Sequence, residues 1–334
     1  MSASSLPIVG IVPGDPNGIG PEILIKAWMD GKLHAVCRPV VIGDAMIMQD
    51  AISMLGSELK IQLCQADQSL SEALSSNASV LDLIQAAPFA VSSVRRGQDM
   101  ADAGLVSGQW LREADRLACE GILQATVMGP ISAKSMDMAG TLHDIASHHP
   151  TDPAYLLLRS GPLVIAHLTD HISLREVSAA ITPAAVHRLI SKLSDSLVQW
   201  GLPNPRIGVA GFNPHATGDE EDQAIKPAVV KAQTEGINVE GPISPDSIFR
   251  HCIEGRYEAV IAMYHDQGHI AIKTWGFSGN NVVFLGPAYP HTTVAHGVAY
   301  DLAGTGRADC SMLRNAILNA ACLAAGKGFH EESA

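Results

Sequence analysis

The sequence predicts an α/β fold with a largely parallel sheet. Short apolar runs alternate along the chain with stretches of helical periodicity, which is the pattern of repeated strand–helix units. The chain has 334 residues, of which 47% are hydrophobic and only 4% are aromatic. That length and content indicate two domains, each with an aliphatic core of its own.

The first half of the chain supplies strands and helices in turn. Strands are predicted over residues 8–12, 40–42 and 125–128. Helices are predicted over residues 21–29, 45–55 and 108–120. Pro21 suits the first turn of its helix, because a residue there needs no backbone N–H partner.

The second half continues the alternation. Strands are predicted over residues 164–168, 207–210 and 259–262, and helices over 183–200 and 309–325. The last two strands end at segments that contain histidine. Because ligands of parallel α/β sheets bind beyond the carboxyl ends of strands, Asn213 and His265 lie where chemistry is expected.

Composition excludes several classes of protein. The formal net charge of −12 argues against non-specific nucleic-acid binding. No apolar run is long enough for a membrane helix, and the first residues lack the basic region of a signal peptide. Six scattered cysteines without a C-x-x-C pair indicate reduced thiols, mostly buried, in a cytoplasmic protein.

Three separated segments place histidines beside oxygen ligands or turn residues. They are His148-His149, Asn213-Pro214-His215, and residues 264–269 with the sequence Tyr-His-Asp-Gln-Gly-His. Three imidazoles that leave one coordination position open are typical of a reactive metal centre. Since a lone histidine is more often structural, the prediction depends on the three segments together.

A carboxylate adjoins the third histidine segment. Asp266 follows His265 directly, and both side chains reach one ion only if a turn intervenes, for which residues 267–268 are suited. Asp246 is a further candidate carboxylate, with the N-cap of the following helix as the alternative.

Charged residues nearby have functional and ordinary interpretations. Lys273 is a candidate for binding an anionic substrate or donating a proton, and an exposed lysine is the alternative. The acidic run at 219–222 is expected to be a solvated face at a helix start, where carboxylates favour the helix dipole.

Two glycine-rich loops are candidates for ligand binding. The first, at 14–22, has the sequence GDPNGIGPE and lies between a predicted strand and helix, where backbone amides can approach an anion. The second, at 296–309, carries imidazole and carboxylate groups among small residues. Neither is a G-x-G-x-x-G motif or a P-loop, so an ordinary turn is the alternative for each.

These segments together resemble the 4-hydroxythreonine-4-phosphate dehydrogenase family over nearly the whole chain. The matching pieces are GDPNGIGPE at 14–22, GPIS at 129–132, NPHA at 213–216, PDSIF at 245–249, YHDQG at 264–268 and the loop 296–309. The last loop also resembles the adenosine-binding loop of isocitrate and isopropylmalate dehydrogenases. The order and number of the pieces make the resemblance specific.

The resemblance implies a two-domain α/β fold like that of isocitrate and isopropylmalate dehydrogenases, with a cleft between the domains. The first domain would comprise residues 1–127 and 286–330, and the second, residues 128–285, would carry most metal ligands and the dimer interface. Family members are homodimers with shared active sites. The implied cofactors are NAD and a divalent metal, with zinc preferred and magnesium, manganese or cobalt as alternatives.

The resemblance also implies site residues. The metal ligands would be His215, His265 and one of His148 or His149, with His149 preferred. Implied cofactor-binding residues are Asp15, Gly18, His296, Gly297, Asp301, Gly304 and Asp309. Implied substrate-binding residues are Ser132, Lys273, Asn281 and His291, and the catalytic candidates are Asp246, Asp266 and Lys273.

The substrate class follows from a departure from the family pattern. Lys273 matches the family's phosphate-binding lysine, whereas Val282 and His291 occupy the places of its asparagine and arginine. Loss of the arginine removes a bidentate phosphate ligand. In this respect the chain more closely resembles the terephthalate cis-dihydrodiol dehydrogenase branch, which is also similar over residues 266–270.

The expected function is a metal- and NAD-dependent dehydrogenase that oxidises a cis-dihydrodiol carboxylate with loss of carbon dioxide. The alternative is a 4-hydroxythreonine-4-phosphate dehydrogenase or a related enzyme of phosphorylated hydroxy acids. A zinc-stabilised non-catalytic protein and a metal hydrolase without nicotinamide are more remote. The expected partners are a small-molecule acid and a second copy of the chain, with no nucleic acid or membrane.

Overall fold

The computed structural model describes residues 6–149, 154–276 and 280–330. The chain divides into two compact units, the first comprising Met1–Pro153 with Pro287–Ala325 and the second Ala154–Gly286 with Gly326–Ala334. Each unit is an α/β structure, as the alternating pattern predicts. The domain boundaries implied by the family resemblance, 1–127 with 286–330 and 128–285, stay a prediction.

The first unit contains a parallel sheet. Its strands are β1 (Ile8–Val12), β2 (Arg38–Gly43), β3 (Lys60–Cys64), β4 (Val80–Gln85), β5 (Ala125–Met128) and β12 (His291–Val294). Their order is β3-β4-β2-β1-β5-β12, with parallel pairing throughout. The central strands β1 and β5 are buried along their whole length, which explains their nearly continuous apolar sequences.

Helices cover the strands of the first unit. They are α1 (Gly20–Met29), α2 (Ala45–Met54), α3 (Leu70–Ala73), α4 (Ala101–Cys119), α5 (Ala133–Ala139) and α11 (Ser311–Ala324). Side chains of α1, α2 and α11 form one aliphatic core with the strands, including the fully buried Trp28. Asp44 caps α2 by accepting hydrogen bonds from the backbone N–H groups of Met46 and Ile47.

The second unit has a mixed sheet. Its strands are β6 (Tyr155–Ser160), β7 (Leu163–His167), β8 (Ile207–Ala210), β9 (Val239–Ile243), β10 (Ala259–Ala262) and β11 (Asn281–Leu285). Their order is β11-β6-β7-β10-β8-β9. Strand β6 is antiparallel to both neighbours, whereas β7, β10, β8 and β9 run parallel and have their carboxyl ends at one edge.

Helices of the second unit connect these strands. They are α6 (Leu174–Ala180), α7 (Pro183–Gln199), α8 (Lys226–Thr234), α9 (Ile248–Ile253) and α10 (His265–Trp275). A π-helical turn at Glu221–Ile225 precedes α8. Thr182 caps α7, and Pro183 occupies its first position.

Two further findings bear on the sequence predictions. In the described part of the chain no helix is long and apolar enough to span a membrane. All six cysteines are free; Cys37, Cys64 and Cys252 are buried, Cys119 is exposed and the other two are half-buried.

Candidate active site

Polar side chains gather at the carboxyl edge of the parallel strands in the second unit. Asp170 and His171 follow β7, and His265 follows β10, which pairs with β7. His215 follows β8, and Asp246 follows β9. Because these four strands are parallel neighbours, residues distant in sequence reach the same edge.

Asp170, His171 and His265 form a group suited to a divalent cation. Their ligand atoms all lie within 4.8 Å of one another, and the two imidazole rings are 5.0 Å apart between centroids. Asp170 Oδ1 is buried without a hydrogen bond and lies 3.1 Å from His171 Nδ1. Two imidazoles and a carboxylate are ordinary ligands of zinc-like ions, so the donor set fits such a metal.

Asp266 fixes the orientation of the His265 ring. The Nδ1 atom of His265 lies 2.7 Å from Asp266 Oδ1, and this hydrogen bond lowers the pKa of Asp266. With its Nδ1–H donated to a carboxylate, His265 keeps the lone pair of Nε2 for a ligand. The predicted turn at 267–268 is wrong, because α10 begins at His265 and continues through it.

Two further imidazoles lie behind His265. The His269 ring stacks on that of His265 at 3.6 Å, and the buried His167 ring lies 4.8 Å from that of His269. Burial lowers the pKa of His167 to about 3 and that of His269 to about 4. Gly268 permits this packing, since an added Cβ would lie 2.2 Å from His167 Nε2. Both imidazoles are therefore neutral at physiological pH.

His215 lies on a short turn after β8 in a left-handed backbone conformation, with φ 58° and ψ 15°. Gln267 ties this turn to the start of α10: it donates to the carbonyl of Gly211 at 2.9 Å and accepts from the N–H of Met263 at 2.7 Å. His215 is exposed and does not belong to the described metal-type group of Asp170, His171 and His265.

Asp246 is exposed and accepts hydrogen bonds from Ser244 Oγ at 2.7 Å and Ser247 Oγ at 3.0 Å. The Ser244 bond is the main cause of its lowered pKa, to which the nearby His215 adds. Ser247, not Asp246, occupies the N-cap position of α9. The N-cap alternative for Asp246 is therefore wrong.

The other predicted histidine segment belongs to the first unit. His148 ends a short 3₁₀ turn at Ala146–His148, and both His148 and His149 are exposed. Residues 150–153 of that segment lie outside the described residues. The sequence analysis missed His171, although the adjacent Asp-His pair after a predicted strand was a usable signal.

Predicted substrate-binding residues have varied surroundings. Lys273 is exposed on α10. It lies two helical turns after His265 and one turn after His269, on the same side of the helix. Asn281 is buried on β11 of the second unit. Ser132 caps α5 by accepting from the N–H of Ser135 and donates to Asp99 Oδ1 at 2.6 Å.

His291 is buried on β12, with only 6% of its surface exposed. Its Nδ1 atom lies 2.6 Å from Thr126 Oγ1, and burial lowers its pKa to about 4. A neutral imidazole cannot supply the positive charge of the arginine whose place it occupies.

The two glycine-rich loops of the first unit contact each other. The N–H of Ile19 donates to the carbonyl of Val298 at 3.1 Å, and Tyr300 donates to Asp15 Oδ2 at 3.1 Å. Burial raises the pKa of both Asp15 and Tyr300, the latter to about 12. Gly18 packs against Val298, because an added Cβ would lie 2.9 Å from the Val298 Cβ.

The remaining predicted cofactor residues lie along the second loop. Asp301, Gly297 and Asp309 are exposed, and His296 and Gly304 are half-buried. Asp309 accepts from the N–H and the hydroxyl of Ser311 at the start of α11, and the hydroxyl bond is the main cause of its lowered pKa. Gly18 and Gly304 therefore have a packing role, since an added Cβ would meet Val298 or Arg96, whereas Gly297 has open space beside it. Several polar groups of the loop still face solvent.

Histidine and carboxylate groups that lie close together beyond the carboxyl ends of parallel strands are typical of an α/β enzyme. The chain belongs to the family of the pyridoxal phosphate biosynthetic protein PdxA, which matches residues 35–320. Since its relatives are dehydrogenases, it is an oxidoreductase of that type. The family resemblance predicted from the sequence is confirmed.

Three comparisons illustrate the relationship. A protein of Novosphingobium aromaticivorans, provisionally named as a 4-hydroxythreonine-4-phosphate dehydrogenase, is 45% identical over 97% of each chain. The structure of 4-hydroxythreonine-4-phosphate dehydrogenase from Klebsiella pneumoniae is 32% identical, with a TM-score of 0.85 over 95% of this chain and 99% of that one. A terephthalate 1,2-cis-dihydrodiol dehydrogenase from Burkholderia xenovorans LB400 is 27% identical, with a TM-score of 0.69 over 97% and 99%.

Proposed function

We propose that this protein is a divalent-metal- and NAD-dependent dehydrogenase of a phosphorylated hydroxy acid of the 4-hydroxythreonine 4-phosphate type. The observation that carries the proposal is the group of Asp170, His171 and His265 at one strand edge in a chain of the PdxA family. The provisional name of the 45% identical relative supports the substrate class.

The cis-dihydrodiol substrate expected from the sequence is supported less well. The neighbour with that activity is 27% identical, against 45% for the relative named for the phosphorylated substrate. The absence of an arginine at position 291 therefore counts for less than the similarity over the whole chain. Other cationic groups, with Lys273 foremost, would bind the substrate phosphate.

The metal would be held by Asp170, His171 and His265, with His215 adding an imidazole. This assignment uses His171, which lies among these donors within the second unit. His149 belongs to the first unit, and its assignment as a ligand stays a prediction. When bound, the ion would supply Lewis acidity toward the substrate hydroxyl, and NAD would supply the hydride acceptor. Zinc is preferred for two imidazoles and a carboxylate, and magnesium, manganese and cobalt are alternatives.

The chain's own residues bind the substrate and handle its proton. Lys273 is exposed near His265 and has no ion pair within the described parts of the chain, so its ammonium group is available to an anionic substrate. Asp246 and Asp266 have lowered pKa values and are ionised at neutral pH. Each can accept a proton from the substrate hydroxyl, while Asp266 also orients His265.

The remaining parts of the proposal come from the family. The two glycine-rich loops of the first unit would bind NAD, through Asp15, Gly18 and the polar residues of 296–309. A decarboxylating step, a homodimer with shared sites, a fold arrangement like that of isocitrate dehydrogenase and a cytoplasmic location complete it.

Substrate oxidation tests the function directly. The metal-loaded protein is incubated with NAD and either 4-hydroxythreonine 4-phosphate or terephthalate cis-dihydrodiol, and nicotinamide reduction is followed by absorbance. We expect reduction with the phosphorylated compound. Turnover of the dihydrodiol alone would restore the substrate first expected from the sequence, and turnover of neither would exclude both.

The ligand assignment has its own test. His171→Ala should weaken cobalt binding to the metal-free protein by at least about tenfold, because it removes a donor. His149→Ala should leave the affinity unchanged. The opposite result in isothermal titration calorimetry would return the assignment to His149.

A further inference from the structure

Glu221 is a buried carboxylate with an uncommon environment. Its surface is 0% exposed, although it belongs to the acidic run that the sequence predicts to be solvated. It begins the π-helical turn Glu221–Ile225, and such turns are frequent at functional sites. A carboxylate this deeply buried is stable only if other groups satisfy it.

Three N–H groups of one short segment satisfy Glu221. The backbone N–H groups of Phe212 and Asn213 both donate to Oε1 at 2.7 Å. The Asn213 side chain donates to Oε2 at 2.8 Å. In the described residues Glu221 makes no ion pair, and both of its carboxylate oxygens accept from Phe212 or Asn213, in the segment that leads into His215.

The turn held in this way is strained. His215 has φ 58° and Ala216 φ 54°, and a left-handed conformation costs a residue with a side chain roughly 1–2 kcal/mol. Two such residues in succession persist only where their surroundings determine the backbone. Glu221 holds Phe212 and Asn213, which shortly precede these two residues, through their backbone N–H groups.

Glycines allow the turn to close around the carboxylate. An added Cβ on Gly211 would lie 2.7 Å from the Ala216 Cα, and one on Gly218 would lie 2.4 Å from Asn213 Nδ2 and 2.9 Å from Glu221 Oε2. Neither position has room for a side chain. The segment 211–218 therefore fits around Glu221.

We propose that Glu221 is a positioning residue, which holds the His215 imidazole in place to bind the metal ion. The proposal rests on the proposed function, in which His215 is a ligand. A turn that is already fixed loses little conformational entropy when the ion binds, so the metal affinity is higher. Loss of such a supporting contact typically lowers metal affinity by about 10–100-fold.

The test compares Glu221→Gln with Glu220→Gln. Glu220 Oε2 also accepts from Asn213 Nδ2, at 2.9 Å, and Glu220 Oε1 accepts from Ser178 Oγ. Because Glu220 is half-buried and does not contact the loop backbone, it is a matched control. Asn213→Ala is the milder second variant, since it removes the Oε2 contact and leaves the carboxylate and the backbone bonds in place.

Cobalt is titrated into each full-length metal-free protein, and the visible d–d spectrum reports the ligand geometry. We expect Glu221→Gln to raise the cobalt Kd at least about tenfold and to shift the spectrum toward that of His215→Ala. Glu220→Gln should stay within about twofold of wild type, and Asn213→Ala should lie between the two. Spectra are recorded below the melting temperature of each variant, so that unfolding is not mistaken for a change in the ligand geometry around cobalt.

Each contrary outcome has a distinct meaning. Suppose that His215→Ala binds cobalt more weakly than wild type. The positioning role is then overturned if Glu221→Gln folds and keeps the wild-type cobalt Kd and spectrum. If Glu221→Gln does not fold, a wild-type Kd and spectrum for Asn213→Ala overturn it instead. The positioning role is also overturned if His215→Ala binds cobalt like wild type while His265→Ala binds it more weakly. That result would still support the metal centre. If His265→Ala also binds cobalt normally, the metal centre of the proposed function itself fails.

Discussion

The glycine-rich loops of the first unit and the histidine edge of the second unit differ in whether their polar groups are satisfied by other groups of the protein. In the first unit Asp15, Tyr300 and Gly18 contact partners on the facing loop, so their polar and steric requirements are met internally. In the second unit the metal-ligand atoms of Asp170, His171 and His265 lie within 4.8 Å of one another, and Asp170 Oδ1 is buried without a hydrogen bond. A buried carboxylate oxygen without a donor, beside two imidazoles, indicates a place for a cation.

The difference shows why sequence motifs alone are ambiguous. Both regions carry glycine, histidine and aspartate at strand ends. Only burial and the direction of side chains distinguish packing from chemistry. Substitutions that separate stability from metal binding therefore test this contrast.

The largest effect is expected for His265→Ala. Removal of a central imidazole should lower kcat/KM by at least about a thousandfold, since a metal ion contributes several kcal/mol to the transition state. Thermal unfolding of the metal-free protein should change little, because the ring is partly exposed. His143→Ala, which removes an exposed imidazole in the first unit, should keep wild-type kcat/KM.

Gly20→Ala should damage folding rather than chemistry. An added Cβ would lie 1.9 Å from the Pro13 carbonyl oxygen, so the backbone must shift at a cost of about 3 kcal/mol or more. Urea unfolding measures this loss. Gly297→Ala is the control, because nothing lies within 4 Å of its added Cβ; equal stability of the two variants would contradict the packing role of the first loop.

His291→Asn should flatten the pH dependence of stability. The folded pKa of about 4 lies below the ordinary value of 6.5, so the unfolded chain binds the proton first as pH falls. The stability due to neutral His291 is thus present above about pH 6.5 and lost toward pH 4.

Unfolding free energies near neutrality and near pH 5 give the measurement. Wild type should lose on the order of 2 kcal/mol more than His291→Asn over that interval. His167 and His269 titrate alike in both proteins and cancel in the comparison. An equal loss in both would show that His291 is protonated in the folded state and free to attract an anion.

The smallest effect is expected for Tyr300→Phe. It removes the hydrogen bond to Asp15 Oδ2 and should cost about 1–2 kcal/mol, because the buried carboxyl loses a donor. Calorimetric melting would show this loss. No change in melting, with a raised KM for NAD, would mean that Tyr300 serves the cofactor rather than the contact between the loops.

The sequence predicted some strands at their observed bounds and missed others. Strands β1, β5, β8 and β10 were predicted at their observed bounds, because strands buried on both faces have unbroken apolar sequences. Strands β3, β4, β6, β9, β11 and β12 were missed. Strands β3 and β9 expose several side chains and mix polar residues into the run, whereas β11 and β12 are fully buried, so burial alone does not make a strand recognisable. The predicted start of α4 was seven residues late, because small residues begin that helix.

The sequence by itself determined the α/β class, the family, and His265 as a residue placed where a parallel strand ends. These follow from local patterns and from the order of motifs. Only the tertiary structure decided that His171 joins His265, that Glu221 is buried beneath the His215 turn, and that His291 is neutral. The first two facts depend on the strand order β7-β10-β8, which brings distant segments of the second unit together. The third depends on the burial of His291 on β12, which keeps water from its imidazole.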